Sequence, residues 1–280
     1  MIAYKYAGEF GVPILEGLRF KVTPPVELND PFELTPRSVM SRDYYLSLLK
    51  KNPSEYRALY GKMRADGEPV PPTFEQFILI LEAYLKATAA TRHKMYRDVI
   101  TEDDLKSPVC ASGLMGLLCF SLTPVSLTMW AHYADCHKGI VIGVETAHKS
   151  FCGCSHQDTV KYRRHRYRIR EPLSEEQFDW NTHCQNMVFT KSEDWGYERE
   201  YRMVFRLDEL SKQTREQGAL YFLNVDPQAI RQVILGCFIT PQREKQIRDL
   251  LRKRPRTHGH IELLRCERHQ TKFALTLVSA

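Results

Sequence analysis

The sequence predicts an α+β chain, and three observations carry that reading. Hydrophobic residues make up 43% and charged residues 26% of the 280 positions, globular proportions that exclude wholesale disorder. Helical spacing dominates from about Arg37 to Leu105, and after Ser107-Pro108 the hydrophobic period changes to two. The strands then arrive mostly in runs instead of alternating with helices, the order expected of α+β. At this length the chain reads as one elaborated domain, residues 1–280, with a helical insertion or subdomain at 37–108 within it.

Taken in order, Ala3-Tyr4-Lys5-Tyr6 reads as a short edge strand. Ile14 to Phe20 reads as a helical turn followed by an extended piece. Residues 23–33 must be a loop, because three prolines in nine residues prevent a ladder and Asn29-Asp30-Pro31 starts a turn. Ser54 caps a helix that ends near Gly67. Thr73 with Gln76 forms a capping box for a longer helix, with Phe77, Ile80, Leu81, Tyr84 and Leu85 on one apolar face. Leu117 to Leu122 is a strand, Leu127 to Tyr133 a helical turn, and Gly139 to Val144 a buried strand. Thr159 to Ile169 reads as a further strand and Ser174 to Phe189 as a helix capped by Ser174. Glu200 to Leu207, Leu220 to Val225 and Gln232 to Leu235 are strands, Pro241 to Arg252 is a helix, and 261–266 and 272–278 are closing strands.

The net charge of +6 is unevenly spread. Residues 160–170 carry six cations and no acid, and 242–256 carry a net +5, which leaves the remainder mildly acidic. Two basic segments on an acidic body point to a polyanionic partner, a nucleic acid among them, or else to solvated faces. No apolar stretch approaches the roughly 20 residues needed to cross a bilayer, so no membrane is expected. The beginning of the chain lacks a basic region followed by an apolar run, and a cytoplasmic location is the expectation. The eight cysteines then read as reduced thiols. Only Cys152-Gly-Cys154 is tightly spaced and it has no zinc-ribbon spacing, so no metal site is expected. There is no P-loop, GxGxxG, GxSxG or HExxH, which disfavours NTPases, dehydrogenases, α/β-hydrolases and zincins.

Four segments place polar and aromatic residues where a core would take aliphatics: Tyr4-Lys5-Tyr6, Asn29 to Glu33, Met129 to Gly139, and Lys191 to Arg202. Trp130, Tyr133 and His137 share a helical face, and with His132 they form a set able to wall a pocket for a flat ring; the alternative is that Trp130 and Tyr133 are core and the histidines satisfy loop carbonyls. Glu198 and Glu200 stand two apart at a strand start, where a period of two puts both carboxylates on one face. Arg202 continues that face and can hold Glu200 ionised. The alternative is a solvated rim of alternating charge. Asp30 and Glu33 read as caps of the following turn, with Pro31 and Phe32 fixing the loop on the core.

In this order the segments resemble the bacterial family of unknown function numbered twenty-nine seventy-one. The residues that carry the resemblance are Tyr4–Tyr6, Asn29–Glu33, Cys119–Ser121, Met129–Gly139 and Lys191–Arg202. That family is in turn similar to abortive-infection proteins of phage defence. A more distant resemblance is to ADP-ribosyltransferase-fold toxins, including those that modify DNA bases. It implies a mixed or antiparallel sheet core and NAD as co-substrate. Tyr4, Lys5 or Tyr6 would hold the ribose, Trp130 or Tyr133 would stack on nicotinamide, and His137 and Arg202 would complete the cofactor site. Glu200 would be the catalytic acid, with Glu198 or His132 deprotonating the acceptor. An antitoxin or other partner protein is also implied. The chain departs from the pattern in having Lys at the first position and no Ser-Thr-Ser motif. Two other readings remain open. One is a metal-dependent nuclease using Asp30, His132, His137, Glu198 and Glu200. The other is a non-catalytic module that binds nucleic acid or a partner.

Overall fold

The structure is a computed structural model, and it describes residues 1–35, 37–39, 53–67, 70–86, 115–170, 180–216, 218–253, 258 and 260–280. Strand β1 covers Ile2–Ala7, helix α1 Gly11–Gly17, β2 Arg19–Val22 and β3 Arg37–Val39. Helices α2 (Pro53–Ala65) and α3 (Phe74–Lys86) precede β4 (Met115–Ser121), helix α4 (Leu127–Tyr133) and β5 (Ile140–Glu145). Next come β6 (His156–Thr159), β7 (Lys161–Arg163), β8 (Arg168–Arg170), helix α5 (Trp180–Val188), β9 (Thr190–Ser192) and β10 (Glu200–Arg206). The chain ends with β11 (Ser211–Arg215), β12 (Gly218–Asn224), β13 (Ile230–Leu235), helix α6 (Pro241–Lys253), β14 (Glu262–Arg268) and β15 (Leu275–Ser279). Helices and a mixed sheet together make the chain α+β. No helix among the described residues is long and apolar enough to cross a membrane.

The chain divides into two compact units, one of Met1–Leu34, Ser112–Arg166 and Gln185–Ala280, the other of Thr35–Ala111 and Tyr167–Cys184. In the smaller unit β3 and β8 pair in parallel. Thr73 accepts the Gln76 amide at 3.2 Å, the first half of a capping box. The Tyr60 ring lies 5.8 Å from Phe74 and 5.4 Å from Phe77, holding α2 to α3. Ile80 is exposed, so the apolar face does not continue through it. The helical reading began at Arg37, which stands instead in β3. Ser174 lies outside the described residues, and the described helix there begins at Trp180.

The larger unit is built on one eight-stranded sheet ordered β15-β14-β13-β5-β1-β4-β10-β6. All its ladders are antiparallel except β13–β14, whose parallel pairing needs a crossover that α6 supplies. Strand β5 is apolar on both faces because both are covered. Ile140, Ile142 and Val144 enter a large core with Leu15 of α1 and Ile247 and Leu250 of α6. Val141 faces a smaller core with Tyr6, Trp130 and Ile234. A second sheet, β11-β12-β2, and the parallel pair β7–β9 complete the unit. Two strand readings are corrected. The Tyr4–Tyr6 strand is interior, flanked by β5 and β4, because its apolar neighbours pair on both edges. The expected strand over 159–169 breaks at Val160, whose amide bonds to Glu200 O, and its next piece joins β9 instead of β10.

The β1–β4 ladder holds a single residue pair, Tyr4 with Ser121, whereas β4 and β10 pair over seven. Beyond that pair the two strands part. The Cys119 carbonyl accepts the Lys5 ammonium at 2.9 Å, and the Thr123 carbonyl accepts the Tyr6 hydroxyl at 2.8 Å. Side chains of β1 thus take up backbone groups that strand pairing leaves free.

Between α4 and β5, Asp135, Cys136 and His137 adopt φ of 50°, 48° and 65°, a left-handed turn that costs about 1–2 kcal/mol per non-glycine residue. It is pinned from several sides. Gly139 N donates to Ala134 O at 2.8 Å and Phe238 N to His137 O at 3.0 Å, while Arg243 reaches Asp135 at 3.0 Å. Close backbone approach makes this possible only with glycine at two positions. A Cβ at Gly139 would stand 2.3 Å from Ala7 O, and one at Gly236 2.1 Å from His137 O. Gly139→Ala and Gly236→Ala should each lower unfolding free energy by about 1–3 kcal/mol or more in urea denaturation. Gly153→Ala, which meets nothing within 4 Å, should leave it nearly unchanged, and equal losses in all three would sink the steric account.

Candidate functional site

Where β1 and β4 part, a cavity of about 250 Å³ opens. Tyr4, Lys5 and Tyr6 of β1 wall one side and Cys119, Phe120 and Ser121 of β4 another. Asn29 and Glu33 close it from the 23–34 loop, Met129 and Tyr133 from α4, and Lys191, Glu198 and Glu200 form its charged floor.

Each of these side chains has a local cause. In the loop, Asp30 Oδ1 accepts the Phe32 amide at 2.9 Å, and the Glu33 amide donates to Asp30 O at 3.1 Å. With Pro31 presetting the turn, Phe32 is thrown outward, 62% exposed, and Glu33 inward. At the floor, Ser192 caps a short 3₁₀ helix over Glu193–Glu198, and Arg199, at φ 45°, ends it and starts β10. Lys191 precedes that helix, its ammonium 4.6 Å over the Trp195 ring. Ser121 ties the two ends together, its hydroxyl donating to Glu198 O at 2.6 Å.

The floor is a buried ion network. Arg202, fully enclosed, donates through Nε to Glu200 Oε1 at 2.7 Å and through Nη2 to Glu200 Oε2 at 2.9 Å. It also donates through Nη1 to Val188 O at 2.5 Å, and Nη2 meets Glu33 Oε1 as well. Lys191 sits among three carboxylates, 2.7 Å from Glu198, 3.4 Å from Glu200 and 3.8 Å from Glu33. The Tyr133 hydroxyl donates to Glu198 Oε1 at 2.7 Å and accepts from Asn29 at 2.9 Å. Tyr162 accepts the Glu200 amide at 2.8 Å.

Burial works against the Lys191 ammonium, but the Glu200 and Glu198 carboxylates outweigh it and raise its pKa. Burial pushes the Glu200 carboxyl above its ordinary range, opposed chiefly by Lys191. The Tyr133 phenol is raised by burial and then by its bond to Glu198. Burial, followed by the nearby Glu200 charge, holds the Cys119 thiol well above its usual value, so it stays protonated and is a poor nucleophile.

Residues 129–203 match the family model described as "Protein of unknown function (DUF2971)". Over that segment the chain is similar to the DUF2971 family. No curated protein and no solved structure matches the chain. The matched segment takes in most of α4, the first half of β10 and the floor residues Lys191, Glu198 and Glu200, whereas Tyr4–Tyr6 and Glu33 come from outside it.

Of the residues singled out from sequence, Tyr4, Lys5, Tyr6, Tyr133, Glu198 and Glu200 line the cavity. Arg202 stands behind its floor. The other three are elsewhere. Trp130 is fully buried in the smaller core, its indole donating to Pro124 O at 2.8 Å. His137 stacks on Trp130 at 6.1 Å, because helix α4 ends at Tyr133 and the left-handed turn brings the imidazole back onto the indole. His132 is exposed, its ring 6.1 Å from Tyr197. Glu198 and Glu200 do share one floor, but not through strand alternation, since Glu198 ends the 3₁₀ helix. A solvated rim is excluded, because β10 is interior and the two carboxylates are only 4% and 5% exposed. Glu33 does not cap a turn: it is drawn inward by Arg202. Lys191, the hub, carried a signal in its spacing of four from Trp195, which sequence reading quoted only as part of a motif.

The basic segments also differ. Lys161, Arg163, Arg164 and Arg166 are exposed and have no carboxylate partner among the described residues. Arg166 lies 5.8 Å over Phe32, next to Glu33. In α6, by contrast, Arg248 pairs with Glu244 at 2.8 Å, Glu244 also taking Arg265 of β14 at 2.5 Å, and Arg243 pairs with Asp135. Residues 254–256 lie outside the described residues.

Arg202→Met should cost about 3–5 kcal/mol, because it strands two buried carboxylates. The loss should be smaller at pH 5 than at pH 8, as those groups take up protons, and a pH-independent loss would assign the effect to packing. A phenol raised by folding supports the fold fully below its ordinary value of 10.0, and that support is lost as pH rises beyond it. Tyr133→Phe should therefore flatten the fall in the urea midpoint between pH 9.5 and 11.5, roughly the span above the free phenol value.

Proposed function

We propose that the chain is an ADP-ribosyltransferase-like enzyme that admits NAD into this cavity by its nicotinamide-ribose end. The observation that carries the reading is that Tyr4–Tyr6, Tyr133, Glu198 and Glu200, from segments nearly 200 residues apart in sequence, wall one space. Its volume of about 250 Å³ lies below the 300–1,000 Å³ typical of sites that enclose a whole drug-sized ligand, so one end of a dinucleotide enters and the rest lies outside. The exposed cations of 161–166 adjoin the floor through Tyr162 and suit the phosphates there.

The bond between ribose C1′ and the nicotinamide nitrogen breaks, and the electron pair leaves with nicotinamide. Glu200, fixed by Arg202 and Lys191, faces the positive charge that develops on the ribose. Such preorganised groups are worth on the order of 10²–10³ in rate. The acceptor attacks C1′ and gives its proton to Glu198, the wall carboxylate next to it. His132 takes no part, since it does not reach the cavity wall. A phage-defence or toxin role, with an antitoxin or other protein partner, is what the family resemblance adds.

The nuclease reading has less support. Glu198 and Glu200 are already bound to buried cations, and the described residues contain no cluster of three His, Cys, Asp or Glu able to hold a metal. The test is nicotinamide release from NAD, followed by chromatography, for the wild type and Glu200→Gln. Release that falls by about 10² or more in the variant is expected. Magnesium-dependent cleavage of RNA or DNA without NAD would overturn the reading. Salt-sensitive nucleic-acid binding with neither activity would replace it with a binding module.

A further inference from the structure

We infer that the cavity is a receptor for a compact organic cation, and that Glu33 is the carboxylate that reads the positive charge. The first argument is charge. The buried or half-buried groups in and behind the cavity wall are four carboxylates, Asp30, Glu33, Glu198 and Glu200, against three cations, Lys5, Lys191 and Arg202. Glu27, also in the wall, is cancelled by Lys21 at 2.7 Å. The set is one positive charge short, and an uncompensated buried carboxylate is strongly unfavourable.

The second argument locates the shortfall. Each oxygen of Glu198 and Glu200 has a hydrogen-bond donor. Glu33 differs. Its Oε1 takes Arg202, whereas Oε2 is buried with no hydrogen-bond donor, and the Lys191 ammonium stands 3.8 Å from it, beyond hydrogen-bond distance. Asp30 Oδ2 is likewise buried and without a donor, but Asp30 is not part of the cavity wall. The accepting capacity left over in the wall is therefore that of Glu33.

The third argument is the lining. Tyr4, Tyr6 and Tyr133 surround the same space, and aromatic rings attract cations most when both are desolvated. A buried carboxylate with a spare oxygen inside an aromatic wall suits an N-alkylpyridinium or alkylammonium group better than a neutral ligand of the same shape. The inference deepens the NAD reading, where the charge would be that of the nicotinamide ring, but it applies to any cation of this class.

Two probes with the same heavy atoms separate charge from shape: the 1-methylnicotinamide cation, and its neutral counterpart methylated on the amide nitrogen. Titration calorimetry on the whole chain at low salt should show the cation binding about tenfold or more tightly. Glu33→Gln should bring the two affinities together, and Asp30→Asn, which removes charge without touching the wall, should narrow the gap even if the Glu33 variant fails to fold. Glu267→Gln, at a solvent-exposed position of β14, should leave the preference intact. Equal binding of the two probes, binding of neither, or a preference indifferent to both variants would overturn the inference. NAD cleavage with no cation preference would sink it and leave the transferase reading standing. Cation preference without nicotinamide release would do the reverse.

Discussion

The larger unit depends on one constraint: Arg202 is a charge with no access to water. A guanidinium in that position is tolerable only if its donors are all met. Two carboxylates and the Val188 carbonyl take a hydrogen bond from each of its three nitrogens, and each has to be delivered by a different stretch of chain. The turn at Asp30-Pro31, the end of α5 and the first residue of β10 are thereby fixed relative to one another. Lys191 then ties Glu198 into the same set. The cavity floor is rigid because the charges that form it cannot be separated cheaply.

The opening above that floor has a simpler origin. Two neighbouring strands that share one residue pair leave backbone carbonyls without strand partners, and a protein must answer them or not have the gap. Here Lys5 and Tyr6 answer them. The same short segment that looks like a ligand-binding motif therefore also finishes the sheet, and its residue types serve both needs. The left-handed turn at Asp135–His137 plays a comparable part just beyond α4. It folds His137 onto Trp130, and so turns two apparent pocket residues into core.

Much of this was legible in the sequence, for identifiable reasons. Strands β4, β5 and β13 of the large sheet carry apolar runs, and β5 and β10 fall within a residue or two of where periodicity puts them. Glu198, Glu200 and Tyr133 stood out because carboxylates and a phenol beside buried strands need partners. What was not legible depends on pairings between distant residues. Nothing local says that Glu33 answers Arg202, 169 positions away, or that the chain leaves β10 at Val160 to pair with β9. Nor does helical spacing reveal that a helix ends at Tyr133 and reverses hand, since the residues that permit it, Gly139 and Gly236, act by close approach across the fold.

The separation between Glu33 and Arg202 has a kinetic meaning. Joining residues 169 positions apart closes a very large loop, and contacts of that kind are entropically late in folding. The β4–β10 ladder can form with Arg202 in place before its second carboxylate arrives, so the guanidinium waits half-satisfied until the N-terminal segment docks. The cavity therefore rests on a long-range contact, the kind whose loop-closure entropy works against early formation.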